Sequence, residues 1–139
     1  MTESAFSLHP RLAADTLPIG DLALCQVMLM NDARFPWIIL VPRRPDLREI
    51  IDLAPEDQAT LLAEITAVSR VLKRLIEPQK LNVAAIGNVV AQLHIHVVAR
   101  FEDDGAWPAP VWGHGAREPY DDNESSGFVA LLRRELGHL

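Results

Sequence analysis

From Pro55 to Ile76 the apolar residues recur at the three- and four-residue intervals of a helix, and Leu61, Leu62, Ile65, Val68, Leu72, Leu75 and Ile76 fall on one stripe. Pro55 suits a first helical turn, and Glu56 and Asp57 follow where the helix dipole favours acids. Lys73 and Arg74 sit near the far end, and Pro78 stops the helix. A helix that is apolar along one side must be covered, and the flanking sequence supplies the cover. Residues 22–30 read as a mostly buried strand, 31–34 as a turn, and 36–42 as the returning strand, bounded by Pro36 and Pro42. Residues 80–87 read as a third strand and 91–101 as a fourth. Hairpin, helix, strand, strand is an α+β order: an antiparallel sheet with a long helix on one face. Residues 5–20, punctuated by Pro10, Pro18 and Gly20, read as irregular. Residues 102–124 read as a long loop holding Trp107 and Trp112, and 127–136 as a short amphipathic C-terminal helix.

A chain of 139 residues fits a single domain, 1–139, large enough to bury a core without staples. The formal net charge of −6 disfavours general binding to nucleic acid or to an anionic membrane, although a local site can still be positive. Residues 1–4 begin no basic stretch followed by an apolar core, so no leader is expected, and no apolar run is long enough to span a bilayer. Cys25 is the only cysteine, which removes any intramolecular disulfide or cysteine-based zinc cage. It reads as a buried small hydrophobe, and a lone thiol suits a reducing, cytoplasmic compartment.

The chemistry concentrates in Gln92-Leu93-His94-Ile95-His96-Val97-Val98, which alternates polar and apolar. Strand side chains alternate faces, so Gln92, His94 and His96 are expected on one face, with Leu93, Ile95 and Val97 packed under the long helix. Such histidines can be solvated polar residues. They can also share a zinc ion, but zinc wants a third protein ligand, and His9, His114 and His138 lie in less ordered segments. Alternatively they can do chemistry. A neutral imidazole whose second nitrogen is held by an acceptor is a competent nucleophile toward phosphorus, and a second imidazole or an amide can donate to phosphate or leaving-group oxygens.

Gln-Leu-His-Ile-His-Val-Val resembles the signature of the histidine-triad (HIT) family, His-φ-His-φ-His-φ-φ with φ apolar. Asn31-Asp32 with the run from Phe35 to Arg44 is similar to the family's first hairpin, and Gly87-Asn88-Val89-Val90 to the Gly-Gln-Ser/Thr-Val stretch before the triad. The resemblance spans about residues 20–101, leaving 102–139 as a C-terminal loop and helix. It implies a HIT-like fold, a homodimer with a continuous sheet, no cofactor or metal, and a nucleotide as partner. It also implies an enzyme, a nucleotide hydrolase or transferase acting on a nucleoside phosphoramidate or a dinucleoside polyphosphate. In that reading His94 attacks the α-phosphate and becomes transiently nucleotidylated, His96 contacts phosphate and helps the leaving group, and Gln92 orients phosphate oxygens. Asn31, or Asp32 beside it, would bind the ribose, and Asn88 would lie near the phosphates.

Two positions depart from the family pattern. Gln92 stands where the first triad histidine is expected, and Trp37 where the second strand carries a partner histidine. Glutamine cannot donate a proton as an acid, and tryptophan offers a stacking surface and one N–H. Altered or slower chemistry is therefore expected, and a non-catalytic nucleotide-binding or regulatory module is the alternative. Arg43, Arg44 and Arg48 read as a phosphate clamp or a solvated basic patch. Trp107 and Trp112 read as a wall of the site, or as cover for a sheet edge or dimer seam.

Overall fold

The computed structural model describes residues 5–137. Residues 1–4, where no leader is expected, and His138 lie outside the described residues. In chain order the elements are α1 (Pro10–Asp15), β1 (Thr16–Asp21), β2 (Cys25–Met30), β3 (Trp37–Pro42), α2 (Pro55–Ile76), β4 (Lys80–Ala84), β5 (Ile95–Arg100) and α3 (Asp122–Leu136), with a short 3-10 turn at Ile50–Asp52. The strands form one antiparallel sheet in the order β1-β2-β3-β5-β4. This is the α+β arrangement expected, a sheet with the long helix on one face and a C-terminal helix.

Alternation along the strands sorts the interior into two layers. Val27, Leu29, Ile38, Leu40, Ile95 and Val97 join Leu61, Val68, Val71 and Leu72 of α2 and Leu132 and Leu136 of α3. Each such fully buried side chain contributes roughly 1.5–3 kcal/mol. The buried stripe of α2 differs slightly from the expected one, because Leu62 is 66% exposed and Val71 lies inside. Glu64 is buried on the same helix, where its carboxylate accepts the main-chain N–H groups of Leu24 and Cys25 at 2.9 and 2.8 Å and ties α2 to the start of β2. The helix ends with Glu77 in the left-handed region (φ 54°), its N–H donated to Lys73 O, directly before Pro78.

On the opposite face Met28, Trp37, Ile39, Val41 and Val98 pack with Leu12, Val90 and Val111. Three segments outside the sheet thus cover this layer, and the site lies among them. Two of these covers differ from expectation. Residues 10–21 are ordered as α1 and β1, with Pro10 at the first helical position and β1 completing the sheet edge beside β2. α3 begins at Asp122, five residues before the expected helix, capped by the Asp121 carboxylate on Glu124 N.

Candidate active site

The fourth strand begins at Ile95, not at residue 91, because residues 91–94 pair with no neighbouring strand and are held instead by Leu93 N donating to Leu47 O at 3.0 Å. His96 lies on the strand opposite Ile39, and His94 just before it, so both rings reach the covered face. Both are buried, at 7% and 5% exposure, with ring centroids 4.9 Å apart.

The expectation for Gln92 needs correction. Period-two alternation does not run back past the ladder, and the Gln92 side chain does not line the cavity that His94 and His96 enter. It accepts His9 N–H at 2.8 Å and donates to Ser7 O at 2.9 Å, hooking the arm that leads into α1. The main chain of Gln92 does meet the site: its carbonyl oxygen lies 2.6 Å from His94 Nδ1. A carbonyl only accepts, so Nδ1 carries the hydrogen and Nε2 of the neutral ring is left with its lone pair.

His96 is in the opposite tautomer. The Trp37 indole N–H donates to His96 Nδ1 at 3.0 Å, and an indole N–H is a donor only, so in the neutral ring the hydrogen sits on Nε2. Burial, with the neighbouring His94 ring adding to it, pushes the His96 pKa down to about 4. The pair therefore offers one nucleophilic nitrogen and one neutral N–H donor.

The cavity around these rings measures about 700 Å³. Its walls come from α1 (Arg11, Leu12, Asp15), from residues 86–90, and from residues 111–117 with Trp112, His114 and Arg117. Asn88 lines it, carried by a turn that Gly87 makes possible at φ +68°. Trp112 stands edge-on to His96 and Trp37 at 5.4 and 5.9 Å, and its indole N–H is buried without an acceptor among the described residues. Of the two tryptophans weighed as walls, Trp112 is one, whereas Trp107 lies beside the Arg100 guanidinium at 5.7 Å.

Asn31 and Asp32 are largely committed elsewhere. The Asn31 side chain accepts Tyr120 N–H at 2.9 Å and does not line the cavity. Asp32 does line it but is 2% exposed, gripped at both oxygens by Arg34 at 2.9 and 2.8 Å and reached by Glu118 N. Burial alone would raise its pKa, but the hydrogen bonds from Arg34 and Glu118 outweigh that and hold it below the usual carboxylate value. Both residues thus fasten the C-terminal loop, which Arg34 also reaches by donating to His114 O at 2.5 Å. Sequence reasoning did not place Arg11, Arg34, His114 and Arg117 at the site, because only the fold brings α1, the turn after β2 and residues 111–117 to one cavity.

Arg43 donates to the carbonyls of Leu22, Ala23 and Leu24, and Arg44 pairs with Asp57. Neither lines the cavity, and nor does Arg48, so these arginines form no clamp there. Arg100 is buried at the end of β5 and binds Asp104, Asn82 and Ala109 O, with Asp104 also accepting three loop N–H groups. The Arg100 guanidinium holds the Asp104 carboxyl well below the usual range and fixes the loop leading to Trp112. Among the described residues no group of three His, Cys, Asp or Glu side chains is arranged to hold a metal ion. None of the described helices is long and apolar enough to cross a membrane. Cys25 is buried, and desolvation, with Glu64 beside it, drives its thiol pKa far up.

Comparison with known proteins gives a consistent picture. A family model described as HIT domain matches residues 11–103. The chain is 51% identical to a histidine triad protein of Bradyrhizobium japonicum, with a TM-score of 0.93 over 96% of this chain and 99% of the other. It is 48% identical to a histidine triad protein of Sinorhizobium meliloti 1021, with a TM-score of 0.91 over 94% and 96% of the two chains. A histidine triad protein of Marinobacter aquaeolei VT8 shares 46% identity and a TM-score of 0.95 over 98% and 99%. No curated protein matches the sequence.

Proposed function

The chain belongs to the HIT domain family, and from that premise we propose that it is a nucleotide hydrolase or transferase acting at an α-phosphate, on a nucleoside phosphoramidate or a dinucleoside polyphosphate. The observation that carries this reading is the pair of opposed tautomers: His94 with its Nδ1 hydrogen on the Gln92 carbonyl, and His96 with its Nδ1 lone pair filled by Trp37.

His94 Nε2 forms a bond to the α-phosphorus as the bond to the leaving group breaks, and the electron pair leaves with that group: on oxygen from a polyphosphate, or, from a phosphoramidate, on a nitrogen that takes up a proton from solvent. The ring becomes a nucleotidyl-imidazolium whose Nδ1–H is already held by the Gln92 carbonyl. The His96 Nε2–H donates to an oxygen of the reaction centre, beside the Trp37 and Trp112 rings. Water then attacks the phosphorus, the N–P bond breaks, the lone pair returns to Nε2 and the water's proton passes to solvent. Asn88 contacts the phosphates, and Asp32 shapes the wall beside the nucleoside. Gln92 acts through its main chain, and Asn31 only through the loop it holds.

The test is mass spectrometry of the intact protein after rapid quenching with an adenosine phosphoramidate and with a dinucleoside polyphosphate. A gain of one nucleotidyl group, absent in His94→Ala, supports the reading. Tight nucleotide binding with neither adduct nor product would make the protein a binding module.

A homodimer is proposed through β4. The other sheet edge, β1, is interrupted between Pro18 and Gly20, whereas β4 is open and is followed by exposed Ile86 and Val89. Sedimentation should give a dimer, and Val83→Lys with Val89→Lys should shift it toward monomer.

A further inference from the structure

His96 is the group placed to assist a leaving group, and Trp37 decides what kind of assistance it can give. We propose that Trp37 is a specificity-determining residue: by donating its indole N–H to His96 Nδ1 it restricts the site to leaving groups that depart as weakly basic oxyanions, such as phosphates or aryloxides, and excludes amines. This rests on the reading that His94 attacks a nucleotide α-phosphate.

Trp37 Nε1 can only donate, and it lies 3.0 Å from His96 Nδ1. A protonated imidazole carries N–H at both nitrogens, so charging His96 would set two N–H groups head to head at that distance. The cavity offers that cation no carboxylate that is not already paired with an arginine. The ring sits between Trp37 at 5.6 Å and Trp112 at 5.4 Å, with the His94 ring at 4.9 Å. Of the cavity's carboxylates, Asp32 is gripped by Arg34, and Asp15 lies between Arg117 at 3.1 Å and Arg11 at 3.8 Å. The third imidazole of the cavity, His114, stacks edge-on to Phe35 at 6.5 Å. His96 therefore donates a hydrogen bond through Nε2–H and does not give up a proton.

The consequence follows from where the electron pair goes. When a P–O bond breaks, the pair leaves on oxygen, and a phosphate with a second pKa of about 6 needs no proton at neutral pH. When a P–N bond breaks, the pair leaves on nitrogen, and an alkylamine departs only if a proton is delivered to it. Gln92, whose side chain faces Ser7 and His9, cannot deliver one.

The experiment compares kcat/KM for three derivatives of one nucleoside monophosphate: its alkylamidate, its p-nitrophenyl ester and its dinucleoside triphosphate. The ester and the triphosphate should exceed the amidate by about a hundredfold or more, the contribution of a missing general acid. Trp37→Phe frees Nδ1, and should narrow that ratio by accelerating the amidate and add an acidic limb to its pH profile. Ring ¹⁵N resonances give a readout independent of turnover, and should show the wild-type His96 neutral with Nε2 protonated at pH 7, whether or not the variant folds. Amidate cleavage within about threefold of the ester, or a charged His96 at pH 7, overturns the role of Trp37 and leaves His94 as nucleophile. Absence of an adduct with all three substrates overturns both readings together.

Discussion

The carbonyl oxygen of Gln92 accepts a 2.6 Å hydrogen bond from His94 Nδ1, while the Gln92 side chain reaches the opposite way to the main chain of Ser7 and His9. One residue thus sets the tautomer of His94 with a group every amino acid possesses, and anchors a wall of the cavity with a group particular to glutamine. The hydrogen bond that orients the His94 ring is therefore independent of the side chain at position 92, because the backbone makes it.

Replacing Gln92 by Ala should separate these roles. The arm running into α1 loses both hooks, so Arg11 and Asp15 at the cavity wall become less well placed. KM should rise about tenfold, with kcat held within about threefold. Hydrogen exchange at the α1 amides should speed up in the same variant. A fall in kcat at unchanged KM would assign the side chain to the chemistry instead.

Asp32 and Asn31 bear on sugar recognition. With the Asp32 carboxylate taken up by Arg34 and Glu118 N, and the Asn31 side chain held at its oxygen by Tyr120 N away from the cavity, neither is placed to grip vicinal sugar hydroxyls. Substrates lacking the 2′-hydroxyl should be cleaved within about fivefold of their ribose counterparts, less than the loss of one good hydrogen bond to a charged group. Arg34→Ala, by contrast, leaves a buried carboxylate unpaired and should destabilise the protein by about 3 kcal/mol in urea unfolding. Discrimination of a hundredfold against the deoxy substrate would return Asp32 to sugar recognition.

These residues also show what a sequence makes legible. The bounds of α2 were readable to the residue because their signals are local: Pro55 and paired acids at one end, basic residues and Pro78 at the other. Trp37–Pro42 was readable for the same reason. The start of β5 was not, because polar–apolar alternation continues through Gln92 and His94 while the hydrogen-bonded ladder does not. α1 escaped because one short turn beginning at a proline has no periodicity to detect. His94 and His96 were identifiable from spacing, yet their opposed tautomers depend on a carbonyl and on an indole 59 positions away. The walls were hidden further still. Arg34 meets His114, and Asn31 meets Tyr120, across 80 and 89 positions, and no local pattern encodes such pairs.

Glu77 offers a stability test away from the site. It closes α2 in the left-handed region at φ 54°, where a Cβ is unfavourable and glycine is the common solution. Glu77→Gly should raise stability by about 0.5–1 kcal/mol, measured by urea unfolding, with no effect on nucleotide turnover. A loss of stability would mean that the side chain makes a compensating contact.

His96 makes the protein's stability depend on pH. His96 titrates near 6.5 in the unfolded chain and at about 4 in the folded one, first because burial penalises the charged ring and second because His94 stands beside it. Between those values the unfolded chain binds a proton that the folded chain does not, so stability rises with pH across the window. It is undiminished above the unfolded value and is lost progressively as pH falls toward the folded one. The full loss is about 3 kcal/mol, from about 1.4 kcal/mol for each pH unit between the two values. Carboxylates held low, Asp32 and Asp104, act in the same direction but at more acid pH, since their ordinary value is 3.8. The difference between wild type and His96→Gln therefore isolates the ring. Its contribution should be flat from pH 8 to about 6.5 and then decline, whereas the variant's stability should change little between 6.5 and 5. Trp37→Phe should shrink the wild-type slope, because removing the indole donor lets Nδ1 accept a proton in the folded state. If wild type and His96→Gln fall in parallel over that window, His96 is charged in the folded protein, and the neutral donor assigned to it is wrong.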